Sequence, residues 1–492
     1  MSEYFFPKMD MRQALLEALP ANDQTSSEPA RTPKFTYVPP SHARALDPEN
    51  TIVEGMRGAG KSHWWAALNK EEHRKYLASV FPETRISGNI EISQGYGMGS
   101  SPNDWPGKDN MVSLIKSYEP RHIWQAVIAV HANFPAPFPR KLGKWSDMVK
   151  WVSEHAEAYD NLLYQVDQEL ARDQKVRLVL FDALDRLAKD WQGIRPLARA
   201  LFQLALDLRS CRALRLKLFV RPDMLEDREI LAFPDSSKLL GRKIALTWRR
   251  VDLYALLFHC LGNADAHGEM FRSGCQKLID EKWQRNVASD TWLVPANLRA
   301  DESLQRDVFH AISGPAMGKG PKRGFPYTWL PNHLIDGRDQ VSPRSFVAAL
   351  RHAVLEDDNI LADWPYALYY RAIQAGVQKA SQIRVDEITQ EDYPWVESLM
   401  KPLNGNITVP CDPKDMIRLW QKNKTIDSLR DDQMTREVKL PPPHLEDREK
   451  GVLQDLEDLG VIQRMWDGRI QMPDVYRIAF GFGRRGGVKP LK

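Results

Sequence analysis

Eight residues constrain this 492-residue chain more than any others. Gly55, Gly60, Lys61 and Ser62 stand in the order G-x-x-x-x-G-K-S, with the β-prone run "TIVE" before them and the helix-like run "HWWAALNKEEHRKYLASV" after them. A strand that turns through glycines into a helix leaves backbone N–H groups pointing into the turn, and those groups suit an anion. Lysine and serine just inside the helix add a cation for phosphate oxygens and a hydroxyl for Mg²⁺. The phosphate-binding residues expected on this basis are Gly55, Gly58, Ala59, Gly60, Lys61, Ser62 and His63, with Ser62 also on the metal.

A phosphate cradle of this kind needs a carboxylate at the end of a neighbouring apolar strand. "VRLVLFDALDRL" supplies Asp182 directly after Leu178 to Phe181, where it is expected to hold the metal's water shell. Asp185, three residues on, is expected to orient or deprotonate an attacking water. The next strand, "LRLKLFVRPD", ends in Arg221, whose guanidinium fork matches phosphate oxygens. In a later segment, "SPRSFVAALRHAV", Arg344 opens a helix behind Pro343 and is expected to reach the nucleotide from a lid.

Alternation of β-rich runs with longer amphipathic runs predicts an α/β core with a parallel sheet over residues 46–250. Its strands are expected in "NTIVEGM", "HIWQAVIAV", "VRLVLFDAL", "LRLKLFVR" and "RKIALTW". The stretch Ser93 to Lys108 is turn-rich and reads as a surface insertion. Residues 1–45 read as an arm, with a short helix in "MDMRQALLEAL" and a connector in "PANDQTSSEPARTP". Residues 251–404 read as a helical lid domain. In 405–492, the helix "DREKGVLQDLEDLGVI" precedes two apolar-alternating runs joined at Asp467-Gly468, the order of a winged-helix domain.

Lys and Arg number 68 against 65 for Asp and Glu, so the charge balance makes no polyanion trap of the whole surface. Any DNA contact has to be local. The basic C-terminus (Arg484, Arg485, Lys489, Lys492) with Arg464 and Arg469 of the hairpin is one such patch, and Lys319, Lys322 and Arg323 form a smaller one. Cys211, Cys260, Cys275 and Cys411 form no CxxC pair, and their spacing to His259 and His267 matches no zinc template. No run of about 18 apolar residues reads as a membrane span, and the first residues do not read as a secretory signal; a cytoplasmic protein is expected.

In the order of its parts, the P-loop, "LFDALD", "LFVRPD", "KIALTW" followed by "DLYALL", then "SPRSF" and a terminal helix and hairpin, the chain resembles the AAA+/STAND group of P-loop ATPases, including KAP-type, NACHT-type and origin-initiator-like members. The resemblance implies Walker A residues at Gly60, Lys61 and Ser62, Walker B acids at Asp182 and Asp185, sensor 1 at Arg221 and sensor 2 at Arg344. It implies ATP hydrolysis with Mg²⁺ and a nucleotide-driven switch that assembles as a homo-oligomer and acts on a protein effector. A prokaryotic multi-protein system, anti-phage defence among them, is the setting it suggests. The alternative is a DNA-binding loader or initiator-like ATPase. D-A-L-D stands where Asp-Glu is usual, and Arg228 and Arg242 lie where an arginine finger acting in trans is expected.

Overall fold

A computed structural model describes residues 5–20, 32–86, 88–140, 143–318, 320–356, 364–435, 440–484 and 488–490. The chain divides into two compact units, one formed chiefly by Val38–Thr247 and the other by the N-terminal helix, Lys34–Tyr37 and Trp248–Lys492.

The first unit is built on five parallel strands: β1 (Ile52–Glu54), β2 (Ile90–Tyr96), β3 (Val176–Phe181), β4 (Leu214–Val220) and β5 (Ile244–Ala245). Their order across the sheet is β2-β3-β4-β1-β5, all pairs parallel. Leu178, Val179, Leu180 and Phe181 are fully buried, as strands covered on both faces must be. Helices Lys61–Leu68, Pro120–His131 and Trp191–Asp207 are among those in this unit. The expected α/β class and parallel sheet are therefore present, with two corrections among the strands.

"HIWQAVIAV" is not a strand. It lies in the helix Pro120–His131, where Pro120 takes the first turn and Ile123, Trp124 and Ala126 through Val130 are all buried. The half of this helix from Ala126 to His131 is buried without a break, so its apolar run mimics a strand. Conversely, the expected surface insertion supplies the second half of β2, Ser93–Tyr96. Gly95 hides the strand in sequence yet is needed there, because a Cβ would lie 2.7 Å from the Phe181 ring. The register also shifts between Gln94 and Tyr96.

In the second unit, the helices Arg250–Gly262, Glu302–Ser313, Pro343–Leu355 and Tyr370–Asp386 follow the expected periodicity. Tyr254 stacks on Tyr327 with ring centroids 4.3 Å apart, and Tyr327 donates to Gln305 at 2.8 Å. A short hairpin, Gln284–Asn286 with Thr291–Leu293, interrupts what reads in sequence as a helical domain. The N-terminal helix Lys8–Ala18 is no free arm. Arg12 is buried and donates to the carbonyls of Ala367, Val354 and Glu356, so this helix is part of the second unit. The 251–404 and 405–492 segments both fall in this unit.

Towards the C-terminus, helices Pro413–Lys422 and Arg448–Asp458 precede the antiparallel pair Gln463–Arg464 and Ile470–Gln471. Gly468 sits at the turn with φ +83°, and Cys411 makes a single antiparallel bridge to Ile470 beside the hairpin. All four cysteines are free thiols. Among the described residues, no helix is long and apolar enough to cross a membrane. Lys319, Arg485 and Lys492, and most of the expected connector, lie outside the described residues.

Candidate nucleotide site

The loop between β1 and the helix Lys61–Leu68 is anchored to the sheet by Gly55 N–H donating to the Val220 carbonyl at 3.0 Å. Gly58 (φ +77°) and Gly60 (φ +107°) adopt backbone conformations that L side chains avoid, which turns the loop into the helix. Lys61 Nζ is folded onto its own loop, donating to the carbonyls of Gly55 at 2.7 Å and Met56 at 3.0 Å. A Cβ at Gly55 would meet the Lys61 stem at 3.0 Å, so the lysine needs the glycine beneath it. Burial pulls the Lys61 ammonium down to about 8, against Asp182, Asp185 and Asp223, which favour its charge, and Arg221, which does not.

Asp182 follows β3 directly, is 2% exposed, and its N–H donates to the Tyr96 carbonyl at 3.0 Å. Burial raises its pKa, while a hydrogen bond from Ser62, the charge of Lys61 and the Ala183 N–H act in the opposite direction. Ser62 and Asp182 thus meet, as a shared metal shell requires. Hydroxyl, carboxylate and glycine cradle are the donor set that a Mg²⁺-nucleotide takes, so the residues fit both groups.

Ala183 has φ +56°, a left-handed conformation uncommon for a residue with a Cβ. It turns the chain sharply into the single turn Leu184–Arg186 and brings Asp185 back toward the next strand. There Arg221, at the end of β4, donates through Nη1 to Asp185 Oδ2 at 3.1 Å and through Nε to Asp223 Oδ1 at 3.2 Å. Burial would raise Asp185, but Arg221, Lys61 and Arg186 outweigh it and hold the carboxyl below its usual range. Asp223, two residues after Arg221, lies within the same charge cluster.

Ala59 is buried. His63 stands edge-on to Trp64 at 5.1 Å and 6.4 Å from His73. Trp64 is buried, with its Nε1 donating to His42 Nδ1 at 3.1 Å, while His42 Nε2 meets the Thr247 carbonyl at 3.2 Å. Trp65 packs against Gly97 and Trp105. Both tryptophans are packing residues. Arg344 opens Pro343–Leu355 in the second unit, where its guanidinium pairs with Glu387 at 2.7 Å. Arg242 is exposed and lines an open crevice of about 560 Å³ with Arg209 and Lys238.

No protein-family model matches the chain, and no curated protein matches it. Among solved structures it is similar to the ORC2 protein of Aeropyrum pernix in its ADPNP-ADP complexes, at 11% identity and TM-score 0.38, over 90% of this chain and 93% of that one. The ADP form of the same protein gives 12% identity and TM-score 0.32 over 90% and 93%. Cdc6p from Pyrobaculum aerophilum gives 11% and 0.29 over 92% and 93%. A likeness at this level assigns no residue a role.

Proposed function

We propose that this protein is a P-loop ATPase that uses ATP hydrolysis as a conformational switch. One observation carries the reading: Ser62, Asp182, Asp185, Arg221 and Asp223 converge on Lys61 at the C-terminal edge of the parallel sheet, the edge where open α/β sheets bind ligands. Lys61 exchanges its loop carbonyls for β/γ-phosphate oxygens. Ser62 and Asp182 would hold the Mg²⁺, which when bound neutralises charge developing on the phosphates. Asp185, kept ionised by its cationic neighbours, accepts a hydrogen bond from the attacking water. Arg221 faces the transferred phosphate, and Arg344 reports nucleotide state to the helical unit.

The winged-helix reading of 405–492 belongs to the same proposal, and the hairpin favours a protein partner over duplex DNA. Arg464 is bound to Glu457, and Arg469 to Asp467 at 2.7 Å, so these two of the cations expected to clamp phosphates are already matched by acids. Trp466 at the hairpin tip is 95% exposed, the kind of aromatic that anchors protein interfaces. Assembly into a homo-oligomer, a trans-acting Arg228 or Arg242, and a role in a prokaryotic multi-protein or anti-phage system follow from the resemblance alone. Phosphate release from ATP by the full chain, compared with Asp182→Ala, tests the ATPase reading. Equal rates in the two proteins contradict it.

A further inference from the structure

Arg221 is held at both ends of its guanidinium. Asp223 takes Nε and Asp185 takes Nη1, with the three side chains only 11%, 17% and 16% exposed, so solvent screens the pairs weakly. The order Arg-Pro-Asp explains the first contact. Pro222 fixes the first position of the turn Pro222–Glu226 and keeps Arg221 extended (φ −84°, ψ 151°). Asp223 then falls in the first turn, close enough to reach back to its neighbour's stem-side nitrogen. A carboxylate on Nε sets the plane of the guanidinium and directs the Nη edge toward Asp185.

We infer that Asp223 is a positioning residue that makes Arg221 a reader of the third phosphate, and so sets the preference for nucleoside triphosphate over diphosphate. The inference rests on the P-loop reading above. An arginine that meets a γ-phosphate must loosen its grip on Asp185, and without a second anchor it gains freedom that binding then has to remove. Asp223 holds the fork in place while the Nη edge changes partner. The diphosphate offers that edge nothing, so its affinity depends on Asp223 only through the charge at Lys61 and far less than that of the triphosphate.

The test is calorimetric titration of the full-length protein with ADP and with a slowly hydrolysed ATP analogue. Asp223→Ala should lose about tenfold of the triphosphate preference, the scale of one charge-assisted hydrogen bond, with ADP affinity changed far less. Asp223→Asn keeps an acceptor for Nε and should retain most of the preference. Asp223→Ala in an Arg221→Ala background should add no further loss. An unchanged ratio in Asp223→Ala, or a parallel loss of both nucleotides with a lowered melting temperature, overturns the inference. Lys61→Ala separates the two layers. If it leaves both affinities intact, the P-loop reading fails and the inference with it; if it abolishes binding while Asp223→Ala leaves the ratio alone, the inference alone fails.

Discussion

Arg221 Nη1 lies 3.1 Å from Asp185 Oδ2, joining the tip of β4 to the turn that follows β3. The contact keeps the carboxylate ionised and therefore available as a base, and it occupies that carboxylate until another anion competes for the guanidinium. Asp185→Asn should keep nucleotide binding and lose about 10²–10⁴-fold in turnover, the range for a lost acid–base group. Single-turnover hydrolysis read beside analogue binding checks this, and turnover at the parent rate would assign the base elsewhere.

Asp185 reaches Arg221 only because Ala183 turns through a left-handed conformation. A β-branched residue pays more there than alanine does, so Ala183→Val should cost on the order of 1–2 kcal/mol of stability. It should also weaken turnover by misplacing Asp185. Ala183→Gly should retain both, and denaturant melts with parallel rate measurements decide it.

His42 gives a pH signature. Burial pulls its pKa from 6.5 to about 3, with the Thr247 carbonyl opposing and His63 assisting. Between those values the unfolded chain binds a proton that the native protein refuses, so stability falls as pH drops from about 6.5 toward 3. The loss attached to this residue is on the order of 5 kcal/mol. Subtracting the pH–stability curve of His42→Gln from that of the parent isolates it, and coincident slopes over this window would contradict it.

Arg344 pairs with Glu387 at 2.7 Å and is half exposed, so a surface pair of small value holds it. Exchange of that partner for a phosphate is worth roughly 1.5–3 kcal/mol, enough to move a two-state equilibrium about ten- to hundredfold. Arg344→Ala should leave the fold intact and blunt ATP-dependent closure, read by a distance probe between the two units. Closure unchanged in the variant would rule the role out.

The site was legible where chemistry fixes residue type and spacing: Gly60, Lys61 and Ser62 at the start of a helix, and Asp182 at the end of a buried strand. Four of the five strands were legible for the same reason, since β-rich runs between turn signals leave few alternatives. The errors share one cause, tertiary packing overriding local pattern. Val127 through Val130 are buried on all faces of a helix and lose their period, whereas Gly95 breaks the look of a strand to admit Phe181. Arg12 shows no sign in sequence that its partners are carbonyls more than 340 residues away. The turn at Ala183 was equally hidden, because alanine carries no preference for it.

Binding of a Mg²⁺–ATP analogue to the parent protein and to Lys61→Ala, measured by calorimetry on folded samples, tests the central claim most directly. Lys61 is the cation that the glycine loop holds over its own carbonyls, and its loss removes the charge that meets the phosphates. The account predicts binding near one nucleotide per chain in the parent and a fall of at least about a hundredfold in Lys61→Ala, the scale of 2.7 kcal/mol or more. Equal affinity in the two proteins would contradict it.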